Sequence, residues 1–459
     1  MTTRTADPKP TASVLSTEEI KVLLHAIFFT PGRRTSKGVV AHDTTHSDEQ
    51  WVTWHTARYG EAPSPEAQAA RHAASQVVWG MPLLALGAPG TGKTSVGEAL
   101  AEVKGLMPNT IIGSQKMPED IGGYPVPNRT RTSMDRLPDT WVERVNASVN
   151  GSAQIFDELT TSDPSMGAAM LAVFSDRAAG VVPLANRVRL VAFGNRSSEA
   201  PNARDLTPAE ANRFVHCDWA GSSPDEWGEW LLGSSVTPVA IDPNVEEARV
   251  LEAWPVAISR ASAMVAGYIK RNGDVLHQMP SFDDPQASRG WASHRSWEMV
   301  TLALAGSMVH SLPATLRHAW VGGLVSPAHA DAFLTWVDRQ DLPSPQEVLE
   351  AADPVAVAGF DKKRPDRTML ILESCAGYVI RANDPDAEAM KPALYTILGH
   401  VADANPEIAT RSVMTILKSG RGFDATKDDR LRALCAGSVG KVAVQMVRAQ
   451  AAKGKKAAK

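Results

Sequence analysis

Cysteine is scarce in this chain: its 459 residues hold three, Cys217, Cys375 and Cys435, far apart and odd in number. No CxxC pair occurs among them. Neither a disulfide framework nor a zinc site is expected, and the three read as small buried hydrophobes in a reducing compartment. An excess of charge of one sign is also missing. Lys and Arg number 47 against 51 Asp and Glu, for a net charge of −4. That balance disfavours a general nucleic-acid or anionic-membrane surface. No stretch approaches the ~20 apolar residues of a membrane span. The first fourteen residues lack an apolar segment of signal-peptide length. There is no internal repeat, and no GxSxG to support a hydrolase triad. The expectation from these absences is a soluble, cytoplasmic protein without a membrane contact.

What is present is ample apolar material, 43% of the residues, in a chain long enough for roughly two to four folded units. Residues 1–14 are rich in Thr, Pro, Ala and Lys and read as a disordered start. Ser16-Thr17-Glu18-Glu19 then precedes an apolar run to Phe29, the pattern of a capped helix. Residues 31–63 are polar and read as an extended segment; Ser64 and Pro65 next supply an N-cap and a first helical residue. From Trp79 to about Trp219 short apolar runs alternate with helical stretches: Leu83–Leu86, Thr110–Ile112, Ala153–Phe156, Val188–Phe193 and Phe214–His216. That alternation predicts a parallel sheet covered on both faces. Beyond it, residues 244–271, 294–310, 313–339 and 366–450 read as helical, and the tail 453–459 is small and basic. The organisation expected is an N-terminal extension over 1–75, an α/β core over 76–235, a helical subdomain over 236–345 and a helical C-terminal region over 346–459.

The sharpest motif is Gly87-Ala88-Pro89-Gly90-Thr91-Gly92-Lys93-Thr94, followed by Ser95. It fits GxxxxGK[ST], with an apolar strand leading in and a helix leading out. Such a loop turns backbone N–H groups toward phosphate oxygens, and the helix N-terminus adds favourable partial charge. In that reading the ligand is ATP with Mg2+. Lys93 reaches the β- and γ-phosphates, and the Thr94 hydroxyl ligates the metal. Ala153-Gln154-Ile155-Phe156-Asp157-Glu158 brings two acids to the end of a strand, where ligands bind in open α/β sheets. Asp157 is the candidate Mg2+ partner through water, and Glu158 the residue that polarises the attacking water. Asn195, ending the run Arg189–Gly194, is placed to orient that water; read alone it would be an ordinary turn residue. Arg213, just before a short strand, is the candidate arginine finger, with Arg196 and Arg204 as rivals. Arg295, opening an apolar helix, is a candidate reporter of the phosphates.

Taken in order, these segments resemble AAA+ ATPases of the MoxR-like, dynein-related group, over roughly Trp79 to Pro343. GAPGTGKT at 87–94 looks like Walker A and IFDE at 155–158 like Walker B. GNR at 194–196 stands in the sensor-1 place, ANRF at 211–214 is similar to the family's DRF, and SHRSW at 293–297 to its sensor-2 SPR. Residues 118–125 resemble the segment before the family's helix-2 insert. Asn212 departs from the usual Asp before the finger. The resemblance implies a P-loop AAA+ parallel-sheet core followed by a helical lid. It also implies a ring, commonly a hexamer, that hydrolyses ATP at subunit boundaries. Such machines act as chaperone-like remodellers, often with a von Willebrand A-type protein partner.

Two other classes of function remain open at this point. A nucleotide-driven nucleic-acid motor or restriction-type subunit, with GTP as an alternative fuel, predicts a basic channel. A nucleotide-dependent assembly scaffold predicts that Glu158 is dispensable where Lys93 is not. His42, Asp43, His46, Asp48 and His55 form a polar cluster that reads as a surface loop rather than a metal site. Trp219, Trp227 and Trp230 read as packing between the α/β core and the helical region that follows.

Overall fold

The apolar runs fold as parallel strands. The computed structural model describes residues 14–32, 44–137, 139–232, 240–281, 284–420 and 423–443. Residues 1–13 of the expected disordered start, the tail 453–459, and His42 and Asp43 lie outside them. β1 (Val14–Leu15) leads into α1 (Thr17–Phe28), α2 (Thr44–Tyr59) and α3 (Pro65–Ser75). Next come β2 (Leu83–Gly87), α4 (Lys93–Val103), β3 (Met107–Ile112) and α5 (Pro118–Gly122). An antiparallel hairpin, β4 (Tyr124–Pro127) and β5 (Met134–Leu137), precedes α6 (Trp141–Asn146), β6 (Ser152–Asp157) and α7 (Pro164–Asp176). A second, shorter hairpin, β7 (Ala178–Ala179) and β8 (Val182–Pro183), runs into β9 (Val188–Gly194), α8 (Pro208–Ala211), β10 (Val215–Trp219) and α9 (Pro224–Leu231).

The main sheet has the order β1-β10-β2-β9-β6-β3, and every pair is parallel. β2, β9 and β10 are buried along their whole length, and β2 accordingly reads as an unbroken apolar run, while β9 carries Arg189 and β10 carries His216 and Asp218. α4 packs on one face, close enough that a Cβ on Gly97 would lie 2.7 Å from the Phe193 ring. On the other face, Leu84, Leu86, Phe156 and Ala192 join Met170, Phe174 and Phe214 in the main core.

α1 forms as the capping pattern predicts. Ser16 Oγ accepts from the Glu19 amide at 3.2 Å, and the Ser16 amide donates to Glu19 Oε2 at 2.9 Å. Its buried stripe, Ile20, Leu23, Leu24, Ile27 and Phe28, follows helical spacing. Arg189 ties this helix to β9. Its guanidinium is fully buried, donates to the Phe28 carbonyl at 3.1 Å, pairs with Glu247 and lies 5.3 Å from the Phe29 ring centre. A charge at that depth is tolerable only because it is paired and hydrogen-bonded.

Residues 31–63 are not an extended segment. α2 occupies Thr44–Tyr59, and His46, Asp48 and His55 of the polar cluster fall within it. The helix carries almost no amphipathic signal, so periodicity misses it. Among the described residues Trp51 anchors it, 2% exposed, under the Arg71 guanidinium at 5.2 Å. Ser64 and Pro65 open α3 as expected, with Ser64 Oγ accepting from the Ala67 amide at 3.2 Å.

The later chain is helical: α10 (Pro243–Arg271), α11 (His294–Val309), α12 (Ala314–Val325), α13 (Pro327–Asp338), α14 (Pro345–Glu350) and α15 (Pro354–Ala358). α16 (Pro365–Arg381), α17 (Asp384–Ala404), α18 (Pro406–Ser419) and α19 (Asp429–Ala436) complete it. The stretch 313–339 divides into two helices, because Ser326 takes φ +88° and Pro327 cannot extend α12. Proline opens many of these helices, at the position where its missing N–H costs nothing. The described residues group into two units. The first runs to Glu252 and includes Asp274–Ala332; the second takes Ala253–Gly273 and the chain from Phe333. The first holds the sheet. The second is helical, with Leu370, Leu394, Ile397, Val413 and Ile416 among its fully buried residues.

Candidate functional site

The glycine loop between β2 and α4 curls because Gly90 and Gly92 adopt φ of +77° and +79°, a region that side chains avoid. Gly87 is needed for close approach, since a Cβ there would lie 2.8 Å from the Trp219 carbonyl. The loop leaves the carboxyl edge of the sheet, and so do the acid pair at the end of β6 and Asn195 after β9. β9 lies between β2 and β6, so Asn195 emerges between the glycine loop and the acid pair.

Lys93 Nζ, largely buried, donates to Asn195 Oδ1 at 3.0 Å and to the carbonyls of Gly87 and Ala88 at 2.9 and 2.8 Å. Burial lowers its pKa from the ordinary value, while Asp157 and Glu199 oppose the shift. The Thr94 hydroxyl donates to Asp157 Oδ2. A hydroxyl and a carboxylate in contact at a sheet edge are the hard oxygen donors that suit Mg2+. Asp157 Oδ1 accepts the Glu158 amide at 2.7 Å, and the Glu158 carbonyl accepts from Thr161 and Ser162. Those bonds hold Glu158 at φ +60°, an uncommon conformation for a residue with a side chain.

One residue of the site carries no sequence motif. Thr160 is buried, and its hydroxyl accepts from the Asn195 amide at 2.9 Å and donates to the Asn195 carbonyl at 2.8 Å. Gly194 makes room for it, as a Cβ there would lie 2.8 Å from that hydroxyl. Thr160 therefore fixes where Asn195 points. The only signal in the sequence was a hydroxyl residue two places after the acid pair.

The three finger candidates part company. Arg196 pairs with Asp218 at 3.1 Å and Glu199 at 2.6 Å. Arg204 pairs with Glu210 at 3.0 Å. Arg213 donates to Ser175 Oγ at 2.6 Å and to the Ala209 carbonyl, so among the described residues it meets neutral partners and no carboxylate. It also lies at the other end of its strand. Val215 pairs with Leu83, at the start of β2, and Trp219 with Gly87. Four residues of strand at ~3.3 Å each separate Arg213's end of the sheet from the glycine loop.

Asn212 joins that end to the start of α11. Its Nδ2 donates to the Trp291 carbonyl at 3.1 Å, and its Oδ1 accepts from Ser293 Oγ at 2.8 Å. Arg295 sits in the first turn of α11, next to this junction. The departure from Asp thus has a physical reason: only the amide can both donate to one partner and accept from the other. Asn212→Asp is expected to destabilise the first unit by about 1–3 kcal/mol, by facing a buried carboxylate with the Trp291 carbonyl. Urea unfolding checks this, and an unchanged midpoint would sink it.

One further cluster brings metal-ligating atoms within 4.8 Å of one another: His25, Glu246 and His310. Arg249 already holds both Glu246 oxygens, at 2.6 and 3.0 Å, which accounts for the carboxylate as an ion pair. Burial pushes the His310 pKa down to about 4, so the imidazole beside it is neutral at pH 7.

The fold and site together define a parallel α/β sheet with a strand–glycine loop–helix unit at its carboxyl edge, facing an acid pair and an asparagine. No protein-family model matches the chain. No curated protein matches it. Among solved structures it is similar to a protein of Cytophaga hutchinsonii described as a "putative ATPase". The identity is 13%, the match covers 70% of this chain and 94% of that one, and the TM-score is 0.39. Among the described residues no helix is long and apolar enough to cross a membrane.

Proposed function

We propose that this chain is an ATPase of the AAA+ type, similar to the MoxR-like group, that works as a ring and remodels or activates a protein partner. The observation that carries the ATPase reading is the convergence of Lys93 and Thr94 at the start of α4 with Asp157 at the end of β6 and Asn195 after β9, at one edge of the sheet. A phosphate-bearing ligand with a hard cation would use all four.

In this reading the backbone N–H groups of Gly90, Thr91, Gly92 and Lys93 cradle the phosphates. Lys93 exchanges its loop carbonyls for β- and γ-phosphate oxygens. Mg2+, when held by Thr94 and through water by Asp157, supplies positive charge to the phosphate oxygens. Glu158 orients and polarises the attacking water, and Asn195, clamped by Thr160, positions it against the γ-phosphate. Arg213, which meets no carboxylate among the described residues and lies at the far end of the sheet, serves the site of a neighbouring subunit. Hydrolysis then depends on assembly, and chemistry couples to subunit movement. The partner class, of which a von Willebrand A-type protein is the leading candidate, rests on the family resemblance.

The test is phosphate release from ATP with Mg2+, for wild type and Lys93→Ala. Wild type is expected to turn over, and Lys93→Ala to lose roughly 100-fold or more. Equal rates for the two would remove Lys93 from the chemistry and the proposal with it.

A further inference from the structure

Three elements of the first unit meet at His25 in the last turn of α1, Glu246 in the first turn of α10 and His310 at the C-cap of α11. His25 Nε2 stands 3.4 Å from Glu246 Oε1, and His310 Nδ1 3.7 Å from the same oxygen. Two ligands on one tetrahedral Zn2+, each at ~2.0–2.1 Å from it, are about 3.4 Å apart. The spacing is that of neighbouring corners of one coordination sphere.

The surroundings of His310 fix where its proton lies. Nε2 is 3.4 Å from the Phe29 carbonyl, which only accepts, so Nε2 carries the hydrogen. Nδ1 then turns a lone pair toward the Glu246 carboxylate, and two electron-rich atoms face each other. Burial keeps the ring neutral, the form that binds a metal. A backbone carbonyl on the second nitrogen is the usual support of a metal-ligating His. His25 Nδ1 is buried without a hydrogen-bond partner among the described residues, so nothing there ties its proton to either nitrogen. The cation now at this point is Arg249, whose Nη2 donates to Glu246 Oε1 at 2.6 Å and to His310 Nδ1 at 3.3 Å. Its side chain is 46% exposed and lies one helical turn beyond Glu246, so it can turn out into solvent without burying a charge.

We propose that His25, Glu246 and His310 bind a divalent transition-metal ion, of which Zn2+ is the type, in exchange for the Arg249 guanidinium. Two imidazoles and a carboxylate suit Zn2+, whereas Mg2+ prefers oxygen alone, which separates this site from Thr94 and Asp157. His25 and Glu246 are partly exposed, which gives the ion its way in and leaves a fourth position for water. Once bound, the ion pins α1 to the start of α10 and the end of α11.

The test is competition for Zn2+ against a chromophoric chelator, in excess Mg2+, with wild type, His310→Ala, Glu246→Gln and Arg249→Ala, each checked for folding by circular dichroism. The expected result is one Zn2+ per chain in wild type and a loss of at least about 10- to 100-fold in His310→Ala and Glu246→Gln. Arg249→Ala, where no cation has to leave, is expected to bind tighter by roughly 10-fold. Zn2+ should also raise the Tm of wild type and not that of Glu246→Gln. No saturable binding in wild type, or equal affinity in wild type and Glu246→Gln, overturns the site. Weaker binding in Arg249→Ala overturns it too, because the guanidinium would then support the ion rather than compete with it. If His310→Ala does not fold, His25→Gln, on a partly exposed side chain, replaces it, and wild-type affinity there overturns the site.

Discussion

Glu158→Gln is expected to lower ATP turnover by roughly 10²- to 10⁴-fold while leaving ATP affinity within a few-fold of wild type. The change removes only the carboxylate's ability to accept a proton. Size and shape are kept, and the backbone at φ +60° is held by the Asp157 carboxylate and by Thr161 and Ser162, none of which it touches. Asp157 keeps its contact with the Thr94 hydroxyl, so the cation partner survives. Steady-state phosphate release alongside equilibrium binding separates the two effects. Turnover at the wild-type rate would assign the base to another residue. Loss of binding together with turnover would make Glu158 part of the cradle instead.

Arg213→Ala is expected to cost about 10³-fold or more in kcat, the usual weight of an arginine finger. The stronger form of this test is a mixture. Lys93→Ala supplies intact Arg213 beside a dead site, and Arg213→Ala supplies an intact site without a finger. If the finger acts between subunits, mixing two inactive variants restores part of the activity, and specific activity of wild type rises with protein concentration. A mixture as inactive as its components, with wild-type activity independent of concentration, would confine the chemistry to one chain. Arg213 would then merely prop α7 through Ser175.

Much of the α/β core was legible because its evidence is local. A strand buried on both faces leaves a contiguous apolar run, and a helix cap leaves Ser and Glu three residues apart. The glycine loop is spelled out in eight consecutive residues. The second unit was legible as helical for the same reason. α2 was not, because its stability comes from Trp51 beneath Arg71, a contact with another helix that leaves no period in the residues of 44–59. Trp219 went into the sheet as the last residue of β10, while Trp227 and Trp230 were left exposed on α9, against the expectation of packing. Burial depends on what arrives opposite a residue, which its neighbours in sequence do not state.

By itself the sequence determined five of the six strands of the main sheet, the glycine loop, the acid pair and the starts of helices such as α1, α3, α4 and α11, since each is set by residues within a few positions of one another. Tertiary structure alone decided that β9 lies between β2 and β6, and so that Asn195 stands between Lys93 and Asp157. It decided that Thr160 clamps Asn195, that Asn212 links two distant segments, and that Arg213 ends up remote from the glycine loop of its own chain. The reason is that parallel strands are joined by crossovers. Their order is chosen by how helices pack over the sheet, among residues far apart in the chain, and no local pattern records that choice.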